Sequence, residues 1–198
     1  MIKFIELIVT FFYFGKFKFA PGTLGSLIAL PMSLLVYKCL PVYKLDQFNI
    51  TMLVVIVILF IIGSLFCQVY IEYYGVHDPR EMIIDEVVGQ MLAVMLVIPL
   101  VTQISSSSVL ALLVELLRDT VIFISNSLFG INYMKEFKDY TLATLLMLIL
   151  IFFRFFDIVK PWPVCFIDRN LNNGVGVMLD DIIAGLMAAI MVYILVRV

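Results

Sequence analysis

Long apolar runs separated by short polar connectors dominate the pattern of this chain. Five of these runs approach or reach the length that an α-helix needs to cross a bilayer. They cover about residues 24–42, 50–71, 82–101, 141–156 and 177–196. A shorter apolar segment at residues 2–14 is predicted to be interfacial or partly inserted. The pattern therefore predicts an all-α, multi-spanning helical membrane bundle with about five membrane-length helices and this N-terminal segment.

The region 102–140 interrupts the regular alternation and is predicted to be an insert. A serine run at 105–108 and a charged loop at 135–139 flank a mostly apolar stretch at 109–129. If the run at 82–101 leaves one membrane face and the next run returns to it, the insert begins and ends on the opposite, distal face. We expect the helix at 109–129 to lie along or re-enter that face rather than cross the membrane alone.

Composition agrees with a membrane protein and adds few chemical clues. The chain is 64% apolar and 14% charged, with a mean hydropathy of +1.14, and we expect a single domain over residues 1–198. A net charge of −2 gives no argument for nucleic acid as a partner. The three cysteines lie among apolar neighbours and predict neither a disulfide framework nor a metal cluster. The N-terminal run could pass for a signal peptide, but it lacks a convincing cleavage site, so we expect a retained helix.

Two acidic pairs stand out because each lies near the predicted start of an apolar helix. Asp85-Glu86 precedes Gly89 by one helical turn, and Asp180-Asp181 precedes Gly185 in the same way. Small residues let membrane helices approach closely, so the two pairs could face each other across one gap. Four converging acids would repel one another without a cation, and Mg²⁺ favours oxygen ligands shared with phosphates. The alternative is that these acids only complement the positive ends of their helices.

Cationic residues cluster between Arg154 and Gly185. Arg154, Asp157 and Lys160 recur every three residues and share one helix face, and Pro161 then ends the helix. Together with Arg169, the two cations at positions 154 and 160 suit an anion that bridges a metal and positive side chains, as in phosphoryl transfer. A structural ion pair between Arg154 and Asp157 is the competing interpretation.

A glycine-rich turn at residues 14–26 feeds the first long apolar run. Free backbone N–H groups at a helix entrance favour an anion, so Thr23 and Ser26 are candidate phosphate contacts. Taken alone, the segment is better explained as a helix cap with flexible glycines, and only the other polar sites favour phosphate contact. His77, the only histidine, could act as a general acid or a metal ligand, although a lone loop histidine is more often neither.

Absent motifs narrow the mechanism. No cysteine has an arginine six residues later, no two aspartates lie two residues apart, and one histidine cannot supply a two-histidine phosphatase site. A metal-activated water that attacks phosphorus is the simplest remaining route.

These residues together resemble the phosphatidylglycerophosphatase A family over most of the chain outside 102–140. The matching segments are Ala20-Pro21-Gly22-Thr23 with Gly25-Ser26, Gly75-Val76-His77-Asp78, Asp85-Glu86 with Gly89, Arg154-x-x-Asp157-x-x-Lys160-Pro161-Trp162-Pro163, Asp168-Arg169-Asn170, and Gly176-x-Met178-x-Asp180-Asp181-x-x-Ala184-Gly185. The chain departs from the family pattern at Asn173-Gly174, at 16–19 and in its longer region 102–140.

The resemblance implies Mg²⁺-dependent removal of the terminal phosphate from phosphatidylglycerol phosphate, a phospholipid substrate, at the cytoplasmic face of a bacterial inner membrane. The implied metal and catalytic residues are Asp85, Glu86, Asp180 and Asp181, with Asp157 as a further catalytic residue. The implied phosphate contacts are Arg154, Lys160 and Arg169, beside Thr23 and Ser26.

Two other classes of protein compete with an enzyme. A transporter or ion-pathway protein also uses intramembrane carboxylates, but its acids should recur at several depths. A membrane scaffold would use the ion pairs only for helix assembly.

Overall fold

The computed structural model describes residues 2–39, 45–76, 79–102, 115 and 137–197. Those residues form seven α-helices and no strand. The helices are α1 (Ile2–Val9), α2 (Pro21–Cys39), α3 (Leu45–Tyr74), α4 (Ile84–Val97), α5 (Phe137–Val159), α6 (Val164–Asn170) and α7 (Gly174–Arg197). Short 3₁₀ turns lie at Phe14–Lys16 and Ile98–Thr102. The predicted all-α class is confirmed for this part of the chain.

Three of the described helices are long and apolar enough to cross a membrane. They are Leu45–Tyr74, Thr141–Val159 within α5, and Gly174–Arg197. The apolar part of α2, Pro21–Tyr37, is shorter. The predicted count of about five membrane-length helices is therefore not confirmed.

Helix α4 shows why the apolar run at 82–101 overstated helix length. Pro99 has no N–H group to continue the helix, and the α-helical segment ends at Val97 before a 3₁₀ turn. Its 14 residues extend about 21 Å, against a hydrocarbon core of roughly 30 Å.

Although short, α4 is the central helix of the described bundle. It packs against α2, α3, α5 and α7, and its contact with α7 is the most extensive among the described helices. Only Glu86 and Leu96 of its residues are not buried. A helix that is apolar on nearly every side lies in the interior of a bundle. Asp85 is a buried acid on this helix, so its burial requires an explanation from the groups around it.

Two glycines allow α4 and α7 to cross in close contact. A Cβ atom on Gly89 would lie 2.5 Å from the carbonyl oxygen of Asp181, and a Cβ atom on Gly185 would collide with the backbone of Gly89. The predicted close approach of the two acid-bearing helices through small residues is confirmed.

Helix α7 begins three residues earlier than the expected start at 177. The backbone N–H of Gly174 donates to Oε1 of Gln68 on α3 at 2.8 Å. Asn173 accepts a hydrogen bond from the N–H of Gly176 at 2.8 Å, as a helix-capping side chain does. Asp180 and Asp181 therefore lie about 9 Å into the helix rather than in its first turn.

The N-terminal segment packs beside the start of α4. Lys16 forms an ion pair with Glu6, and the N–H of Ile83 donates to the carbonyl of Val9 at 3.1 Å. Helix α1 has 8 residues, so it is too short to span a bilayer. Several aromatic side chains in and after this segment are exposed: Phe4, Phe12, Phe14, Phe17 and Phe19.

Two predictions fall outside the described residues. The proposed insert at 102–140 is described only at Thr102, Glu115 and from Phe137 onward, so the distal-face position of 109–129 stays a prediction. His77 and Asp78 also lie outside the described part of the chain.

We predict that Gly89→Ala destabilises the bundle by about 1–3 kcal/mol, because the added methyl group meets backbone rather than a mobile side chain. Thermal unfolding in detergent measures the change. Gly63→Ala is the matched control, since its Cβ would meet the flexible end of Met178 and the side chain of Ile84 rather than backbone. Equal melting temperatures for the Gly89 variant and the wild type would show that the crossing is looser than the structure indicates.

Candidate active site

Three carboxylates from two helices converge at the crossing of α4 and α7. One carboxylate oxygen from each of Asp85, Glu86 and Asp181 lies within 4.8 Å of the others. Asp85 is 5% exposed and Asp181 is 3% exposed. Three of the four acids in the two predicted pairs thus meet at one place.

Local hydrogen bonds orient the aspartates within each pair. The backbone N–H of Glu86 donates to Oδ1 of Asp85 at 3.0 Å, and the N–H of Asp181 donates to Oδ1 of Asp180 at the same distance. Adjacent residues on a helix point about 100° apart, so neighbouring acids reach one centre only if their side chains turn differently. The longer side chain of Glu86 reaches the centre that Asp85 approaches from the first turn of α4.

Asp180 makes a different contact from its neighbour. Its Oδ2 lies 2.7 Å from Nζ of Lys160, and the same ammonium group lies 2.5 Å from Oδ1 of Asp168. Of the four acids predicted to hold a metal, the structure brings three together and places Asp180 in this ion-paired group. The pairing of Lys160 with Asp168 was not predicted, because no spacing rule connects residues on either side of a Pro-Trp-Pro turn.

The Lys160 group joins the end of α5 to α6 and α7. Lys160 has a φ of 45°, a left-handed conformation that is costly for a residue other than glycine. Burial by itself lowers the pKa of Lys160, but the carboxylates of Asp180 and Asp168 outweigh burial and hold that pKa above its ordinary value. Lys160 is therefore a fixed positive charge next to the carboxylate cluster.

Among the predicted phosphate contacts, Arg154 is the residue that approaches the three-carboxylate cluster. Its Nη1 atom is 3.9 Å from Oε1 of Glu86 and 2.6 Å from Oδ2 of Asp157. Although Nη1 forms this ion pair with Asp157, both Nη1 and Nε are buried and make no hydrogen bond with the described residues. The predicted ion pair with Asp157 is present, and the guanidinium still has donors to offer an anion.

The first turn of α2 forms another wall of the site. A Cβ atom on Gly22 would lie 3.0 Å from both terminal nitrogens of Arg154 and would touch Oε1 of Glu86. The first N–H groups of a helix have no intrahelical partner, so this entrance suits an anion. Sequence reasoning treated Gly22 as part of a turn and missed that its lack of a side chain makes room for the site.

The remaining predicted phosphate contacts lie in different surroundings. Thr23 is exposed in the first turn of α2. Ser26 is fully buried and its hydroxyl donates to the carbonyl of Gly22 at 3.1 Å. Arg169 is exposed at the end of α6 and forms no ion pair with the part of the chain that the structure describes.

The three-carboxylate cluster fits a hard divalent cation. All its donor atoms are oxygens, the ligand type that Mg²⁺ prefers. Ligands on opposite sides of one Mg²⁺ are about 4.2 Å apart, close to the 4.8 Å limit within which these oxygens lie. In addition, Oε2 of Glu86 is buried and has no hydrogen-bond partner among the described residues.

Comparison with known proteins identifies the family of this chain. The sequence profile of Phosphatidylglycerophosphatase A matches residues 7–196. The chain belongs to the phosphatidylglycerophosphatase A family. Because the match includes α2, α4 and α7, the helices that meet at the carboxylates all lie within the family region.

Three relatives are similar over nearly the whole chain. A phosphatidylglycerophosphatase A from Haemophilus influenzae is 28% identical over 96% of this chain and 86% of its own length. One from Escherichia coli is 25% identical over 95% of this chain and 81% of its own length. A putative phosphatidylinositol-3-phosphatase from Bacteroides thetaiotaomicron is 28% identical over 94% of this chain and 89% of its own length. No solved structure matches the chain.

We predict that Lys160→Gln destabilises the protein by roughly 1–3 kcal/mol, because Asp180 and Asp168 lose their shared cation. Since the folded-state pKa is raised, the contribution is fully present below the ordinary pKa of 10.5 and is lost as the pH rises through the folded value. The difference in melting temperature between the variant and the wild type should be constant from pH 7 to about pH 10. At higher pH this difference should become smaller.

The control for this measurement is Lys18→Gln, since Lys18 is exposed and makes no ion pair among the described residues. A Lys160 variant as stable as this control would contradict the assigned role of the ion-paired group.

Proposed function

We propose that this chain hydrolyses the terminal phosphate monoester of phosphatidylglycerol phosphate, giving phosphatidylglycerol and inorganic phosphate. The observation that carries the proposal is the buried cluster of Asp85, Glu86 and Asp181 beside the partly unpartnered guanidinium of Arg154. The names of the Haemophilus and Escherichia relatives support the choice of substrate.

The three clustered carboxylates would hold Mg²⁺ in this proposal. When bound, the ion supplies positive charge that offsets the negative charge on the phosphate oxygens. The cluster would otherwise place three acids together in a largely buried region, where like charges repel. Asp180 would act through its ion pair with Lys160 rather than as a ligand.

The phosphate itself would be bound by cationic and backbone donors. Arg154 offers buried N–H groups beside Glu86, and Asp157 holds that guanidinium in place. The N-terminal N–H groups of α2, next to Gly22, would donate hydrogen bonds to a phosphate oxygen. In the reaction, water attacks phosphorus, the bond from phosphorus to the ester oxygen breaks, and the lipid alcohol leaves with a proton.

The position of the site along the bundle suits a lipid headgroup. Glu86 and Arg154 lie near the start of α4 and the end of α5, at the ends of apolar helices. Exposed aromatic residues lie on segments at this end of the bundle, including Phe17, Phe19 and Trp162. Aromatic side chains of this kind favour the membrane–water interface. We place the protein in the bacterial inner membrane with this end facing the cytoplasm.

A transporter is less consistent with the described acids. In α3 and α5 the acidic residues lie near the helix ends, at Asp46, Glu72, Asp139 and Asp157. A cation pathway would require polar groups at successive depths across the bundle. The concentration of acids around one crossing instead favours a single site.

We predict that the purified protein releases phosphate from phosphatidylglycerol phosphate only when Mg²⁺ is supplied. Asp181→Asn and Glu86→Gln should each lower kcat on the order of 100-fold or more while the protein stays folded, because each removes a charge from the cluster. A phosphate-release assay in mixed micelles, with circular dichroism to verify folding, measures both effects.

Glu72→Gln is the matched control, because Glu72 is an exposed acid on α3 whose described contact is with Gln68. Absence of phosphate release by the wild type would overturn the proposed function, and near-normal rates in both cluster variants would overturn the ligand assignment. Phosphatidylinositol 3-phosphate belongs in the same assay, given the name of the Bacteroides relative.

We further predict that Trp162 lies at headgroup depth. It is the only tryptophan in the chain and is 77% exposed, so its fluorescence reports the depth of the segment that follows Lys160. In proteoliposomes, lipids brominated near the glycerol backbone should quench it more than lipids brominated near the chain ends. Trp162→Phe serves as the blank, and stronger quenching by the deep bromines would contradict an interfacial site.

A further inference from the structure

Gln90 is a buried polar residue that the site described above does not use. It lies on α4 one helical turn beyond Glu86 and is fully buried. Neither its amide nitrogen nor its carbonyl oxygen has a hydrogen-bond partner among the described residues. Leaving a buried polar group without a hydrogen bond destabilises a protein, which points to a role other than packing.

Glu86 lacks a hydrogen-bond donor for one of its two carboxylate oxygens. Its Oε1 atom faces Arg154 and Gly22, whereas its Oε2 atom is buried without a hydrogen-bond partner among the described residues. Residues four apart lie on the same face of a helix. A carboxamide can donate two hydrogen bonds and an ionised carboxylate only accepts them, so these two side chains match chemically.

Helix α2 packs against the face of α4 that carries Gln90, and it meets that face with small residues. A Cβ atom on Gly25 of α2 would lie 3.0 Å from the carbonyl oxygen of Ile83, so α2 packs closely on this face of α4. Gln90 follows Ile83 by seven residues and therefore points in nearly the same direction. The face of α2 that meets α4 carries small buried residues, namely Gly22, Gly25, Ser26, Ala29 and Ser33.

The two serines on that face do not supply a donor to Gln90. The hydroxyl of Ser26 donates to the carbonyl of Gly22, and the hydroxyl of Ser33 donates to the carbonyl of Ala29 at 2.8 Å. A hydroxyl has one proton, so both are engaged within α2. On α4 itself, residues four apart share one face, so Glu86 is the acidic residue that Gln90 faces.

We propose that Gln90 is a positioning residue for the carboxylate cluster. Its amide donates to Oε2 of Glu86 through one buried water and so fixes the orientation of that carboxylate toward Asp85 and Asp181. This inference rests on the proposed function, because it assumes that Glu86 is a ligand of the ion. Groups that orient metal ligands in this way typically contribute about 10–100-fold in metal affinity.

The test measures ion binding without substrate. Mg²⁺ is titrated calorimetrically into the detergent-solubilised full chain, comparing wild type with Gln90→Leu. We expect the Kd for Mg²⁺ to rise about 10-fold or more in the variant. Its melting temperature in EDTA should stay equal or rise, because leucine removes a buried polar group without a protein partner.

Thr144→Val is the matched control. Thr144 is also fully buried with an unpartnered hydroxyl, but it lies about 15 Å along α5 from Arg154. This variant should bind Mg²⁺ as wild type does. The same Kd in Gln90→Leu and wild type would overturn the positioning role alone, whereas a wild type that binds no Mg²⁺ would overturn the proposed metal site together with it.

In a Glu86→Gln background, Gln90→Leu should cause no further loss of Mg²⁺ affinity, because the carboxylate that it orients is already gone. An undiminished loss in that background would show that Gln90 acts through another residue.

Discussion

The contact between α4 and α7 at Gly89 and Gly185 is the constraint on which the site depends. These helices are far apart in sequence, and each carries an acidic pair one turn before its glycine. With a side chain at either glycine, the helix backbones would have to separate. The carboxylates of Asp85, Glu86 and Asp181 then would no longer share one centre.

The charges around this crossing divide into two groups with different tasks. Lys160 is ion-paired with both Asp168 and Asp180, and these contacts connect three helices. Arg154 and Glu86 retain polar atoms without hydrogen-bond partners among the described residues. Ion pairs such as those of Lys160 stabilise the structure, whereas buried polar atoms without a partner can bind a ligand. Asp180 and Asp181, although adjacent, therefore have different surroundings: Asp180 is ion-paired with Lys160, and Asp181 lies in the carboxylate cluster.

Much of the fold and site could be predicted from sequence, because the signals concerned are local. Apolar runs indicated the helices, and the acid pairs with their glycines indicated where two helices meet. Helix ends depended on distant contacts: Gln68 of α3 caps α7, and no local pattern shows that. The partner of Asp180 and the approach of Gly22 to Arg154 likewise arise from packing between segments that sequence spacing cannot relate.

If the cluster of three acids binds a cation as proposed, it also links the lifetime of the protein to its ionic surroundings. A cation that binds only the folded chain lowers the free energy of the folded state, by about 2.7 kcal/mol when its concentration is 100 times its dissociation constant. Scarcity of that cation would then weaken the association of α4 with α7 itself. Depletion of the ion would reduce the amount of intact enzyme in the membrane as well as the rate of each molecule.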